Sequence, residues 1–225
     1  MKKKVENSVT LYQSKYTTNF SPVYTSENMS GKMSGIPSIS TAVCCNPICA
    51  ARAKDPESIC AHCFAMNTVA RYSALREHLI DNYNLLTSRL LGKDELPIFG
   101  NVRAVRFESF GDLANVTQAV NYLNIARANP NVVFTIWTKN PEFLHHAIWR
   151  DGKPANLICI LSSEKTNVIR DASAYNWVDH VFTVYDPEYI KANNIEINCG
   201  ARSCATCMKC YTVGNDVFQI AEMLK

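Results

Sequence analysis

Residues 132–149 read VVFTIWTKNPEFLHHAIW. Val132–Trp137 is an apolar run rich in β-branched and aromatic side chains, the composition of a strand buried on both faces. Asn140-Pro141-Glu142 then supplies a capping side chain, a proline at the first helical position and an acid in the first turn, so a helix is expected to about Trp149. A buried strand followed at once by a helix is half of a βαβ unit, and the fold depends on whether that unit recurs.

It recurs on both sides. Upstream, Val102–Phe107 reads as a strand, and Asn115 caps a helix from Val116 to about Ala128. Downstream, Leu157–Leu161 is a buried strand, Asn167–Tyr175 a helix and Val178–Val184 a strand, after which Asp186-Pro187 repeats the cap-then-proline start. Ile195–Ile197 is expected as a last short strand, with Asp216 capping a C-terminal helix to Leu224. Nearer the start, Ile36–Val43 is a short strand. Asn67–Leu91 places Val69, Tyr72, Leu75, Leu79, Tyr83, Leu86 and Leu90 at three- and four-residue steps, the buried stripe of one long helix. Gly92–Gly100 is a loop.

About six strands with helices between them predict an α/β fold with parallel strands. The expected form is a partial (β/α)6 TIM-like barrel, since a closed eight-unit barrel needs roughly 250 residues; an open parallel sheet is the alternative. Residues 1–35 form a polar N-terminal arm, 36–198 the partial barrel, and 199–225 a cysteine-rich segment with the C-terminal helix. The chain is 225 residues long and 47% hydrophobic, enough to bury a core without disulfides. No run is long enough to span a bilayer. The formal charge is +3 with its lysines and arginines scattered, which gives no footprint for nucleic acid. No apolar leader follows Met1–Lys4, so a cytoplasmic location with reduced thiols is expected.

In either architecture active groups gather beyond the C-terminal ends of the strands. That rim collects Cys44, Cys45 and Cys49; Glu108, Ser109 and Asp112; Thr138 and Lys139; Ser162, Ser163 and Glu164; Tyr185 and Asp186; and Cys199. Glu108, Asp112 and Lys139 are the candidate catalytic groups, and Ser162 is a candidate cofactor contact. Arg106 points from a strand and needs a partner, for which Glu108 on the same face is the obvious choice. His145 and His146 read as surface or packing residues, His180 as part of a strand's outer face, and Cys159 as a small buried hydrophobe.

Ten cysteines fall mainly into two groups. Cys199, Cys204, Cys207 and Cys210 form C-x4-C-x2-C-x2-C, close to ferredoxin-type loops in which a short turn curls round a [4Fe-4S] cube. Four clustered thiolates can also hold zinc. Upstream, Cys45, Cys49, Cys60 and Cys63 form a second set with Cys44 adjacent. Neighbours in an extended loop point opposite ways, so only one of Cys44 and Cys45 is expected to be a ligand, and Cys45 is the choice. This set is either a structural zinc knot or a catalytic cluster held by three thiolates with one iron open.

The stretches Cys60-Ala61-His62-Cys63-Phe64-Ala65, Arg106–Asp112, Phe134–Lys139 and Cys204–Cys207 with Cys210-Tyr211 resemble the phage-borne gene-product-88-like family, over roughly residues 34–212. That family is distantly similar to the radical S-adenosylmethionine enzymes. The similarity implies a partial barrel, a cofactor-facing [4Fe-4S] cluster on Cys49, Cys60 and Cys63, and an auxiliary cluster on Cys199, Cys204, Cys207 and Cys210. It departs in having ten residues between Cys49 and Cys60 and no Gly-Gly-Glu after the second strand, whose role Glu108 or Asp112 would have to take.

Three functions follow as expectations. The first is an iron-sulfur enzyme that cleaves S-adenosylmethionine, with an electron donor and a small-molecule or macromolecular substrate as partners. The second is a non-catalytic iron-sulfur redox or binding module. The third is a zinc-stabilised interaction or nucleic-acid-processing protein of a mobile element.

Overall fold

Asn7 and Ser8 take positive φ angles of 49° and 66°, the two-residue turn that matches strand twist. In the computed structural model, which describes residues 1–224, this turn joins β1 (Lys2–Glu6) to β2 (Val9–Gln13) in an antiparallel hairpin. The N-terminal segment is therefore structured rather than a loose arm. Its anchor is Tyr12, which is buried and donates its hydroxyl to Asp81 at 3.0 Å.

Six strands then form one parallel sheet: β3 (Ser38–Ile39), β4 (Ala104–Phe107), β5 (Val133–Thr138), β6 (Leu157–Ser162), β7 (His180–Tyr185) and β8 (Gln219–Met223). Their order across the sheet is their order along the chain, and all five pairings are parallel. The sheet is open, with β3 and β8 as its edges. One face carries Ile39, Val105, Phe107, Phe134, Ile136 and Cys159 into the main core, beneath α3 (Ser73–Ser88), α4 (Val116–Ala128) and α5 (Pro141–Asp151). Phe107 is stacked between Tyr122 and Phe134, with centroids 4.3 and 5.0 Å away. Side chains one residue out of phase occupy the opposite face, as a period of two requires. There Ala104, Ile158, Ile160 and Ile220 are covered by the C-terminal segment through Cys199, Cys204, Cys210 and Tyr211.

Several expectations need correction. The long helix is two, α2 (Phe64–Arg71) and α3, broken at Tyr72 (φ −113°, ψ 88°). The break turns Tyr72 outward and brings Val69 and Leu79 together on Ala42, Val43 and Ala65. Of Ile36–Val43 only two residues pair as β3. Asn167–Tyr175 forms turns and no helix. Ile195–Ile197 is irregular, and the sixth strand is instead β8, where a C-terminal helix was expected. Residues 217–224 have helical spacing, but the free edge of β7 captures them in a five-residue register from Val181↔Gln219 to Tyr185↔Met223. His180 is buried, with Nδ1 2.7 Å from the Val217 carbonyl oxygen, rather than facing outward. Among the described residues no helix is long and apolar enough to cross a membrane.

Candidate functional site

The upstream cysteines are set by two capped turns. Asn46 is fully buried and accepts from the backbone of Ile48 and Cys49, starting α1 (Pro47–Arg52), while its amide donates to the Asp112 carbonyl at 2.9 Å. Ser58 accepts from Cys60 N at 3.2 Å and starts the 3₁₀ turn Ile59–His62. Cys63 follows as the residue before α2. Arg52 fastens this loop to the sheet. It donates to Asn140 Oδ1 (2.7 Å), to the Lys139 carbonyl (3.1 Å) and to Glu164 (2.8 Å), which Arg170 also engages at 3.0 Å. Asn140 thus spends its side chain on Arg52 and on the Leu113 carbonyl and does not cap α5, contrary to expectation.

At the other end of the chain, Cys204 and Cys207 span the single turn α7 (Cys204–Cys207), and left-handed Met208 (φ 54°) redirects the backbone into a 3₁₀ turn holding Cys210. The stretch before it runs along the outer edge of β8. Asn198 brackets that strand through Gln219 O and Ala221 N, both at 2.9 Å, and Cys199 N donates to Ala221 O at 3.0 Å. Lys32 bonds Glu222 at 2.5 Å and the Cys199 carbonyl at 3.1 Å, joining the N-terminal segment to this corner.

A cavity of about 1170 Å³ lies at the C-terminal ends of the strands and receives both cysteine sets. Cys49, Cys60 and Cys63 line it from one side, and Cys199, Cys204 and Cys210 from the other. Cys44, Cys45 and Cys207 do not line it, and Cys45 packs instead against the small core around Ala42 and Val43. All ten cysteines are free thiols. Burial pushes the Cys49 thiol up strongly and Cys210 up to about 12, and Cys199 and Cys204 are raised by the same cause. The loops gather sulfur donors without closing them: among the described residues no three His, Cys, Asp or Glu side chains stand close enough to share a metal ion. Cys159 is buried in the main core, as expected.

Glu108, Ser109, Asp112, Lys139, Ser162 and Ser163 all line the same cavity. Thr138 and Glu164 instead brace the rim, Tyr185 stacks on Tyr189, and Asp186 caps α6 (Pro187–Asn193). Asp112 accepts from Thr138 Oγ1 (2.6 Å) and Lys139 N (2.9 Å), which ties the loop after β4 to the end of β5. Glu108 is buried and left-handed (φ 55°). Its carboxylate accepts from Thr41 Oγ1 (3.0 Å), Thr41 N (3.2 Å), Gln118 (2.6 Å) and the Tyr122 hydroxyl. Desolvation outweighs those bonds and pushes its carboxyl up to about 7. Gly111 packs against this cradle, where a Cβ would lie 2.8 Å from the Thr41 carbonyl oxygen.

Arg106 does not pair with Glu108. Its guanidinium lies 3.9 Å above the Trp137 ring and touches the Met33 sulfur at 3.7 Å. Sequence reasoning also missed Arg52, Lys32, Gln118 and Tyr122, whose roles depend on sheet register and carry no local pattern.

No curated protein and no solved structure is significantly similar to the chain. The family model described as gene product 88 matches residues 7–219, which include the whole cavity apart from Glu222. With nearly its full length matched, the chain belongs to the gene product 88 family.

Proposed function

We propose that this protein is an iron-sulfur enzyme of radical S-adenosylmethionine type. The observation that carries the reading is that two cysteine sets, far apart in sequence, open into one cavity at the ends of parallel strands wound in chain order. The upstream set presents three thiols there, Cys49, Cys60 and Cys63, while Cys45 stays outside. Three ligands on a four-iron cube leave one iron for a cofactor. Cys199, Cys204, Cys207 and Cys210 would hold a second [4Fe-4S] cluster; Cys207 lies off the cavity but near enough to raise the thiols of the other three. Free, partly buried thiols suit soft metals, and a metal bound by them would displace their protons. Cys49, Cys60 and Cys63 would hold the upstream cluster, which would supply the electron for reductive cleavage of S-adenosylmethionine.

The protein's own residues orient and exclude. Lys139 and Ser162 line the cavity from adjacent strand ends and are among the groups positioned to contact cofactor or substrate. Asp112 fixes the Lys139 backbone. Glu108 has its oxygens occupied by Thr41, Gln118 and Tyr122, so it acts as a positioning residue and not as the acceptor of an α-amino group. A partial (β/α)6 barrel accounts for the shared cavity. Five strand spacings across a flat sheet separate its edges by roughly 24 Å, and curling brings loops at both edges together.

The test is anaerobic purification with iron, sulfide and zinc quantification, followed by S-adenosylmethionine and dithionite with deoxyadenosine as the product measured. Iron, sulfide and deoxyadenosine are expected. Zinc without sulfide defeats the reading, and a cluster that never consumes S-adenosylmethionine reduces the protein to a redox module.

A further inference from the structure

We infer that the cavity binds an anionic group of its substrate, a carboxylate or a phosphate, with Arg106 as anchor and Ser109 and Lys139 as further contacts. The assignment shares its cavity with the iron-sulfur reading but needs no metal.

Among the described residues Arg106 has no carboxylate counter-charge; its ionisable neighbours are the Cys204 and Cys210 thiols, whose ionisation it favours. A guanidinium presents five N–H donors, yet among the described residues its one hydrogen-bond contact is with the Met33 sulfur, and its Nε is buried without a partner. Among the described residues no carboxylate pairs with it or with Lys139. The nearby acids are already engaged: Glu108 by Tyr122 and Gln118, Asp112 by Thr138, Glu222 by Lys32 and Glu164 by Arg52. A half-buried guanidinium that lines a cavity with its Nε shut off from water and no carboxylate partner among the described residues is suited to anchor an oxyanion. The guanidinium carbon lies 3.9 Å from the Trp137 ring centroid, which steadies the side chain where Arg106 lines the cavity.

One hydroxyl repeats the pattern: Ser109 is 7% exposed and lines the cavity, and its Oγ is buried without a partner among the described residues. Simple alternation along β4 would send Glu108 to the cavity side with Arg106, and Ser109 to the helix side. Left-handed Glu108 departs from this. Its carboxylate turns to Gln118 and Tyr122 of α4 while still bordering the cavity, and Ser109 lines the cavity beside it. Strain of this kind persists where surrounding structure over-determines it, here through the Glu108 cradle.

Isothermal titration of the anaerobically purified protein with inorganic phosphate, and separately with succinate, tests the inference. One anion is expected to bind at one site per chain, phosphate if the substrate is phosphorylated and succinate if it carries a carboxylate. Arg106→Gln should weaken it on the order of tenfold or more, and Arg106→Lys, which keeps the charge but loses the fork, by less. Ser109→Ala breaks no protein contact; it should leave the thermal midpoint unchanged and weaken binding severalfold, so it carries the test if Arg106→Gln does not fold. Absence of binding by both anions, or unchanged affinity in Arg106→Gln and Ser109→Ala, overturns the site and leaves Arg106 as a counter-ion to Cys204 and Cys210. Metal content is measured on the same samples: anion binding by a protein that holds zinc would defeat the iron-sulfur reading alone.

Discussion

A single left-handed glutamate sets the chemistry on both sides of β4. Glu108 lies at φ 55° because Thr41, Gln118 and Tyr122 hold its carboxylate at the border of the cavity, and Ser109 lines the cavity beside it. Burial raises its carboxyl from an ordinary 4.5 to about 7, with neighbouring Asp112 adding to the rise and the bonds from Tyr122 and Thr41 opposing it. The consequence for stability has a definite sign. Between pH 4.5 and 7 the unfolded chain has released this proton while the native chain keeps it, so stability falls as pH rises across that window, by about 3 kcal/mol. Glu108→Gln removes the titration. Urea midpoints measured across the window should show the wild type losing stability relative to the variant as pH rises; parallel profiles would mean that Glu108 does not titrate there.

At the scale of elements, the last strand depends on one side chain. Asn198 satisfies both Gln219 O and Ala221 N on the outer edge of β8, which also blunts an edge open to pairing with another chain. Asn198→Ala should lower stability by about 1–3 kcal/mol in urea denaturation, since it strands two backbone groups; an unchanged midpoint would show that water replaces both bonds at no cost. Arg52 plays the matching part upstream, where it ties α1 to Asn140, Lys139 and Glu164. Arg52→Ala should speed amide exchange in 47–63 while leaving exchange in β5 and β6 slow, and uniform exchange would deny it that local role. The elements that the sequence announces are those whose signals are local. Asn115 caps α4 and Asp186 caps α6 as their positions suggest, and the apolar runs of β5 and β6 are strands. β8 was illegible because Val217, Ile220, Ala221 and Leu224 carry a helical period, and only the open edge of β7 makes them a strand. Most of the rim residues could be named because strand ends direct loops to one side of the sheet. The engagement of Glu108 could not, since a positive φ at a glutamate leaves no mark in the sequence.

For the molecule as a whole, the iron-sulfur reading proposed above raises the question of whether two sulfur sets around one cavity would hold two metal centres or share one. Cys49, Cys60 and Cys63 hang from the loop after β3 and Cys199, Cys204 and Cys210 from the segment beside β8, at opposite edges of the sheet, yet all six face the same space. Each set has its own anchor, Arg52 for the first and Lys32 with Asn198 for the second. Separate anchoring favours separate centres, because deleting a ligand at one edge leaves the other loop's bonds intact. On that reading the wild type carries about eight irons per chain, Cys60→Ala and Cys204→Ala each retain about four, and the double variant retains none. The remaining cluster should also tell the sets apart. On the same reading, the optical spectrum of Cys204→Ala should still respond to S-adenosylmethionine through an open iron of the upstream set, whereas in Cys60→Ala four C-terminal thiolates would saturate their cluster and leave no position for it. Loss of all iron in either single variant would establish one shared centre, and the cavity would then hold a bridging cluster instead of a cofactor between two.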